Sequence, residues 1–170
     1  MEYLTICRDN AQLLLSLVNC LLDFQQALGG ELRVKSKRID IRQAIDSAVR
    51  LFYFPCKGKG LYLELIVDPS VPQYIDTDED RLRQILINLI ANAVKFTFEG
   101  GITVTVNQDP NDIQRVKICV QDTGVGIKEE DKETLFKVNA KIGEETAAVS
   151  KNGVGFGLTI AKTLLDVLNG

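Results

Sequence analysis

The run from Asp80 to Lys95 does most to limit the folds open to this chain. Leu82, Ile85, Leu86, Leu89, Ile90 and Ala93 recur at i, i+3, i+4 and i+7, which predicts a helix laying one broad apolar face on a core. Gln84, Asn88, Asn92 and Lys95 form a separate polar stripe beside that face. Between Gln84 and Lys95 the two asparagines are the only strongly polar side chains. If the helix is largely covered they need partners, because an unpaired buried amide costs about 1–3 kcal/mol. Alone, N-x-x-x-N is more often a solvated helix face, so the segments around it must decide.

Those segments alternate between helical and strand-like patterns. Thr5 to Leu28 reads as a helix in which Leu14, Leu17, Leu21, Phe24 and Leu28 follow coiled-coil spacing, with Leu15, Val18 and Leu22 as a second stripe. A face that wide suits a helix packed among several others, although a plain core helix has the same pattern. Gly29-Gly30 stops it and marks the domain boundary, giving residues 1–30 and 31–170. Beyond it, Glu31 to Ile39 is strand-like, Ile41 to Phe54 helical up to Pro55, and Leu61 to Val67 a strand. Pro69 and Pro72 break the next turn, and Thr77 or Asp78 can cap the asparagine helix. Ile102 to Val106 and Arg115 to Gln121 are strands joined across Asp109-Pro110-Asn111. A short helix spans about Glu129 to Phe136, a polar loop from Lys137 to Asn152 has the marks of a lid, and Phe156 to Leu168 is helical again. At 170 residues, these alternating elements are expected to form one globular domain with an extra helix before it.

Two glycine motifs follow the asparagine helix: Asp122-Thr-Gly-Val-Gly-Ile127 and Gly153-Val-Gly-Phe-Gly-Leu158. In the strand before the first, Val116, Ile118 and Val120 share a face with Asp122, which directs a carboxylate along the apolar side. An adenine amino group donates the hydrogen bond such a carboxylate needs, and Gly124 and Gly126 let the backbone approach the ring. Gly153, Gly155 and Gly157 lead into the last helix, whose free N–H groups and positive dipole end suit a triphosphate. The spacing is that of neither a dinucleotide fingerprint nor a P-loop, and the landmarks of eukaryotic-type protein kinases are absent. The combined set describes a pocket for ATP and Mg²⁺.

In this order, the asparagine helix, D-T-G-V-G-I, Phe136 and G-V-G-F-G-L resemble the N, G1, F and G2 boxes of sensor histidine kinases. The most specific piece is Arg81-Leu-Arg-Gln-Ile-Leu-Ile-Asn-Leu-Ile-Ala-Asn-Ala-Val-Lys-Phe-Thr97. The match is strong from about Thr77 to Gly170, and Leu21-Leu22-Asp23-Phe24 looks like the second helix of the dimerisation domain. The resemblance implies a Bergerat-type two-layer α/β (α+β) sandwich, a mixed sheet with helices on one face preceded by one long helix, with ATP held under a flexible lid. Carried over residue by residue, it implies Asn92 as the Mg²⁺ ligand, Asn88 and Lys95 on the phosphates, Phe96 near the adenine and Asp122 on its amino group. The glycine boxes add Gly124, Gly126, Ile127, Gly153, Gly155, Phe156, Gly157 and Leu158 to the nucleotide site, and Lys141 and Lys151 would reach it from the lid. The phenylalanine often found three residues after Phe136 is here Asn139, and a leucine common in the last box is Phe156, which bears on lid packing.

Composition limits the function further. The chain has no histidine, so it lacks the phosphate acceptor of a histidine kinase, and the resemblance implies partners: a His-bearing dimerisation domain and a response-regulator receiver domain. The amino-terminal seam offers a route to a homodimer. Twenty basic against 23 acidic residues, with no basic block, argue against a nucleic-acid partner. Cys7, Cys20, Cys56 and Cys119 have no metal-site spacing, and reduced thiols in a cytosol are expected. No stretch reaches the roughly 20 apolar residues of a bilayer span, although the chain could be the cytoplasmic part of a membrane receptor. ATPases of the same fold carry a glutamate as base four residues before the metal asparagine, where this chain has Asn88. An amide cannot take a proton from water at neutral pH, so transfer to a protein acceptor is favoured over hydrolysis. A purely regulatory nucleotide-binding module would keep every motif and transfer nothing.

Overall fold

The computed structural model describes residues 34–132, 157–168 and 170, together with Ala11, Leu14, Leu15, Val18 and Leu22. Those five are helical, and Leu14, Leu15, Val18 and Leu22 are all exposed. Leu17, Leu21, Phe24 and Leu28, the rest of the expected seam, lie outside the described residues.

Strand β1 (Lys37–Asp40) leads directly into helix α1 (Ile41–Arg50), whose start is fixed by Asp40: its carboxylate accepts from Gln43 N–H. Glu31 to Ile39 was the expected strand, so the described part begins later and runs one residue further. The helix expected to stop at Pro55 instead ends at Arg50. A second helix, α2 (Tyr53–Lys59), takes the proline into its first turn. That position is open to proline because first-turn N–H groups have no partner within the helix. Strand β2 (Tyr62–Val67) follows, then β3 (Tyr74–Thr77), for which no strand was expected. Helix α3 (Glu79–Phe96) is the asparagine helix, β4 (Gly101–Gln108) and β5 (Val116–Asp122) come next, and α4 (Glu129–Lys132) and α5 (Gly157–Val167) complete the described elements.

The strands form an antiparallel pair, β1–β3, and a mixed three-stranded sheet ordered β2-β4-β5, with β2 parallel and β5 antiparallel to β4. Register sets one apolar face. Leu63, Leu65 and Val67 pair with Ile102, Val104 and Val106, and Val104 and Val106 pair in turn with Val120 and Ile118. Ile102, Val104 and Val106 are fully buried beneath Ile45, Ala48 and Val49 of α1 and Leu86, Ile87 and Ile90 of α3. The opposite face, with Tyr62, Glu64 and Ile66 on β2 and Lys117, Cys119 and Gln121 on β5, is exposed. Helices therefore cover one side of the sheet, the two-layer arrangement anticipated. A second, smaller cluster joins Ile85 and Leu89 of α3 to Ile160, Ala161 and Leu164 of α5. Burial of α3 on two sides explains why its apolar surface exceeds one stripe: Ile87 and Val94 are buried as well.

Candidate functional site

The site is built around α3, and both ends of that helix are held firmly. Of the two candidate caps, Asp78 performs the role. It is 4% exposed, its Oδ1 accepts from Arg81 N–H at 3.2 Å, and its Oδ2 accepts from Lys35 N–H at 2.8 Å. Glu79 in the first turn pairs with Lys37 at 2.8 Å and Arg83 at 3.0 Å. The hydrogen bond from Lys37 is the main reason its carboxyl lies below the usual glutamate range. At the other end Thr97 leaves the helix in an extended conformation, fully buried, its hydroxyl donating to Ala93 O at 2.7 Å. Lys59 of α2 reaches across to donate from Nζ to Val94 O at 2.6 Å and Lys95 O at 3.4 Å. A cation on the last carbonyls of a helix complements its negative end. Nothing in the sequence pattern pointed to Lys59, because the contact joins residues 35 and 36 positions apart.

Along the polar row, Gln84 and Asn88 are buried, each 5% exposed, while Asn92 and Lys95 are half-buried. Lys95 Nζ lies over the Phe96 ring, 4.9 Å from its centre. The first residue of α5 meets this row: a side-chain carbon built on Gly157 would stand 3.7 Å from Asn92 Nδ2 and 3.9 Å from Asn88 Oδ1. Two sequence motifs 65 and more residues apart thus come into contact, with the amino end of α5 directed at the asparagines.

The turn after β5 closes on the carboxyl end of the same helix. Val125 N–H donates to Phe96 O at 3.3 Å, and a side-chain carbon at Gly124 would lie 2.4 Å from that oxygen. Only glycine permits so close an approach. Thr123 locks the turn from the other side: its Oγ1 donates to Glu99 O at 2.7 Å and accepts from Gly101 N–H at 3.0 Å.

Asp122 requires a correction. Its register opposite Ile102 is the apolar one, as expected, yet the residue is exposed. It is the last residue of β5, where the sheet gives way to the turn, and its Oδ1 accepts from Gly124 N–H at 2.8 Å. The premise of a buried carboxylate does not hold for this structure; the carboxylate stands at the rim of the site. Gly126 and Ile127 lie on the same exposed turn, and Gly157 and Leu158 are the first two residues of α5. Phe136, Lys141, Lys151, Gly153, Gly155 and Phe156, together with the expected lid, lie outside the described residues.

The donor set fits a nucleotide and a hard cation. Amide oxygens are the kind of ligand Mg²⁺ accepts. The glycine at 124 leaves a space that any side chain would fill, and Gln84 Nε2 is a buried donor without a partner among the described residues. Among the described residues no cluster of acidic, cysteine or histidine side chains could hold a metal by itself, and no helix is long and apolar enough to cross a membrane.

Residues 77–170 match the family described as histidine kinase-, DNA gyrase B-, and HSP90-like ATPases, and the chain belongs to that family. Within it, the similarities are to sensor kinases, where such a domain is the ATP-binding catalytic part. The chain is 33% identical to the virulence sensor protein BvgS of Bordetella parapertussis, over 99% of this chain and 14% of BvgS. It is 34% identical to the signal transduction histidine-protein kinase BarA of Escherichia coli K12, over 99% of this chain and 18% of BarA. It therefore spans less than a fifth of either relative. Among solved structures, full-length ShkA in complex with AMPPNP superposes with a TM-score of 0.76 at 30% identity, covering 99% of this chain and 34% of that one. The catalytic domain of histidine kinase ThkA shares the fold, with a TM-score of 0.64 at 23% identity over 79% of this chain and 82% of that domain.

Proposed function

We propose that this chain binds Mg-ATP between α3, α5 and the Asp122–Ile127 turn, and transfers the terminal phosphoryl group to a histidine supplied by another segment or chain. The observation that carries the reading is the meeting of Gly157 with Asn88 and Asn92 on a helix whose far end is bonded to the Asp122 turn. In this reading Asp122 accepts from the adenine amino group, Phe96 packs beside the base, and Asn88 and Lys95 contact the phosphates. Lys95 needs only to leave the Phe96 ring to do so. Asn92 would present its amide oxygen to Mg²⁺, which when bound offsets negative charge on the phosphates. The N–H groups at the start of α5 complete the cradle.

Asn88 also shapes the outcome of the reaction. Its amide takes no proton from water, so the chain orients the phosphoryl group without activating a competing nucleophile. With no histidine of its own the chain is silent in self-phosphorylation. Its partners are a His-bearing dimerisation domain and a receiver domain, with residues 1–30 corresponding to the second helix of a dimerisation domain.

Calorimetry tests the assignment. Asn92→Ala should remove the Mg²⁺ dependence of ATP binding, and unchanged Mg-ATP affinity would show that the metal is held elsewhere. Asp122→Asn should weaken ATP more than a purine nucleotide lacking the 6-amino group, whereas equal losses would remove Asp122 from base recognition.

A further inference from the structure

The polar row on α3 continues past Asn88. One turn nearer the start of the helix, Gln84 is 5% exposed; its Oε1 accepts from Arg81 Nη1 at 3.4 Å, and among the described residues its Nε2 has no hydrogen-bond partner. Buried amide nitrogens are nearly always paired, so an orphan in the same row as Asn88 and Asn92 calls for an acceptor. Arg83 Nε is also unpaired, but it belongs to a guanidinium already engaged with Glu79. The bond that Gln84 makes to Arg81 uses its oxygen and leaves the amide nitrogen unengaged among the described residues.

The row also has a direction. Its carboxyl end is bonded to the turn that carries Asp122, through Val125 N–H and Phe96 O, and its middle faces Gly157. An α-helix rises about 1.5 Å per residue, so Asn92, Asn88 and Gln84 are rungs about 6 Å apart leading away from the Asp122 turn. This inference rests on the nucleotide reading above: with the base at that turn and the phosphates laid along the row, the terminal group lies toward the Gln84 end. We propose that Gln84 is a further nucleotide-contacting residue whose Nε2 donates to an oxygen of the terminal phosphoryl group. Arg81 engages Oε1 and so fixes which end of the amide is left to donate. Hydrogen bonds to an ionised acceptor are the stronger kind, which gives the orphaned donor a use that packing alone does not.

The test compares Mg-AMPPNP with Mg-ADP, which lacks the terminal group, by calorimetry on this chain and on Gln84→Met, which keeps the side-chain length and removes the donor. Gln84→Met should weaken Mg-AMPPNP by at least about tenfold, the effect of losing one hydrogen bond to a charged group, and leave Mg-ADP unchanged. The nucleotide-free variant should melt close to wild type, because removal of the unpaired buried donor offsets loss of the long bond from Arg81. Equal factors for the two nucleotides, or no change in either, would overturn the role. Gln84→Glu is the second variant: a carboxylate there should repel the terminal group, again lowering Mg-AMPPNP selectively, and an unaltered ratio would count against the proposal. If wild type binds neither nucleotide, the nucleotide reading itself fails, an outcome distinct from failure of Gln84 alone.

Discussion

Gly124→Ala is the sharpest single perturbation of the link between fold and site. The added carbon would lie 2.4 Å from Phe96 O, 2.9 Å from Phe96 C and 2.7 Å from Asp122 Oδ1. Side-chain carbons essentially never come within 3.0 Å of such atoms, so the turn must back away from α3 by at least about 0.6 Å. Both close neighbours on α3 are backbone atoms of a helix end held by Thr97 and Lys59, which cannot yield as a flexible side chain would. Overpacking of this kind costs about 1–3 kcal/mol, and the retreat also breaks the Val125 to Phe96 hydrogen bond, at about 1 kcal/mol. A loss of about 2–4 kcal/mol corresponds to a fall in melting temperature of roughly 4–16 °C for a chain of this size. Gly58→Ala is the control: it lies in α2, has open space around it, and should raise stability slightly by removing backbone freedom from the unfolded chain. Differential scanning calorimetry reads both. If Gly124→Ala melts as wild type does, the close approach of turn and helix is not part of the folded structure, and the placement of Asp122 fails with it.

Two further outcomes follow from the local contacts. Asp40 is held below the ordinary aspartate range, chiefly by Gln43 N–H and then by Gln73, and a depressed carboxyl stabilises the fold above its unfolded value and loses that effect as pH falls toward its folded value. As pH falls through and below the ordinary aspartate value of about 3.9, wild type should therefore lose stability more steeply than Asp40→Asn, which keeps a helix cap without titrating; parallel circular-dichroism curves would contradict this. Lys59→Met should lower the melting temperature by about 2–4 °C and speed amide exchange around Lys95 and Phe96, since its amine caps those carbonyls. Unaltered exchange there would mean that the lysine contact is incidental.

Much of the secondary structure was readable because it depends on periodicity: the apolar stripe of α3 and the alternation in β4 and β5 both reappear. The two-layer arrangement was implied by the family resemblance and not by any one pattern. Pro55 misled the boundary between α1 and α2, since a proline reads as a stop unless the chain has already begun a new first turn around it. Strand β3 was hidden because Tyr74–Thr77 is only four residues long and sits between Pro72 and the cap at Asp78. For the site, the motifs identified the residues but not their environment. Strand parity put Asp122 on the apolar face, yet parity carries no information about where the sheet ends, and the residue is exposed. The contact of Gly157 with Asn88 and Asn92, the reach of Lys59 and the stranded amide of Gln84 are products of tertiary packing, which a one-dimensional pattern does not encode.

The central claim is phosphoryl transfer to a histidine outside this chain. The direct measurement is to incubate the chain with ATP labelled on its terminal phosphate and an excess of a histidine-bearing dimerisation domain, then follow the label. The account predicts acid-labile label on the partner's histidine, none on this chain, and little release of free phosphate when the partner is omitted. Bound ATP with no label on the partner would make the chain a passive nucleotide-binding module, and rapid phosphate release without any acceptor would make it an ATPase; either result contradicts the account.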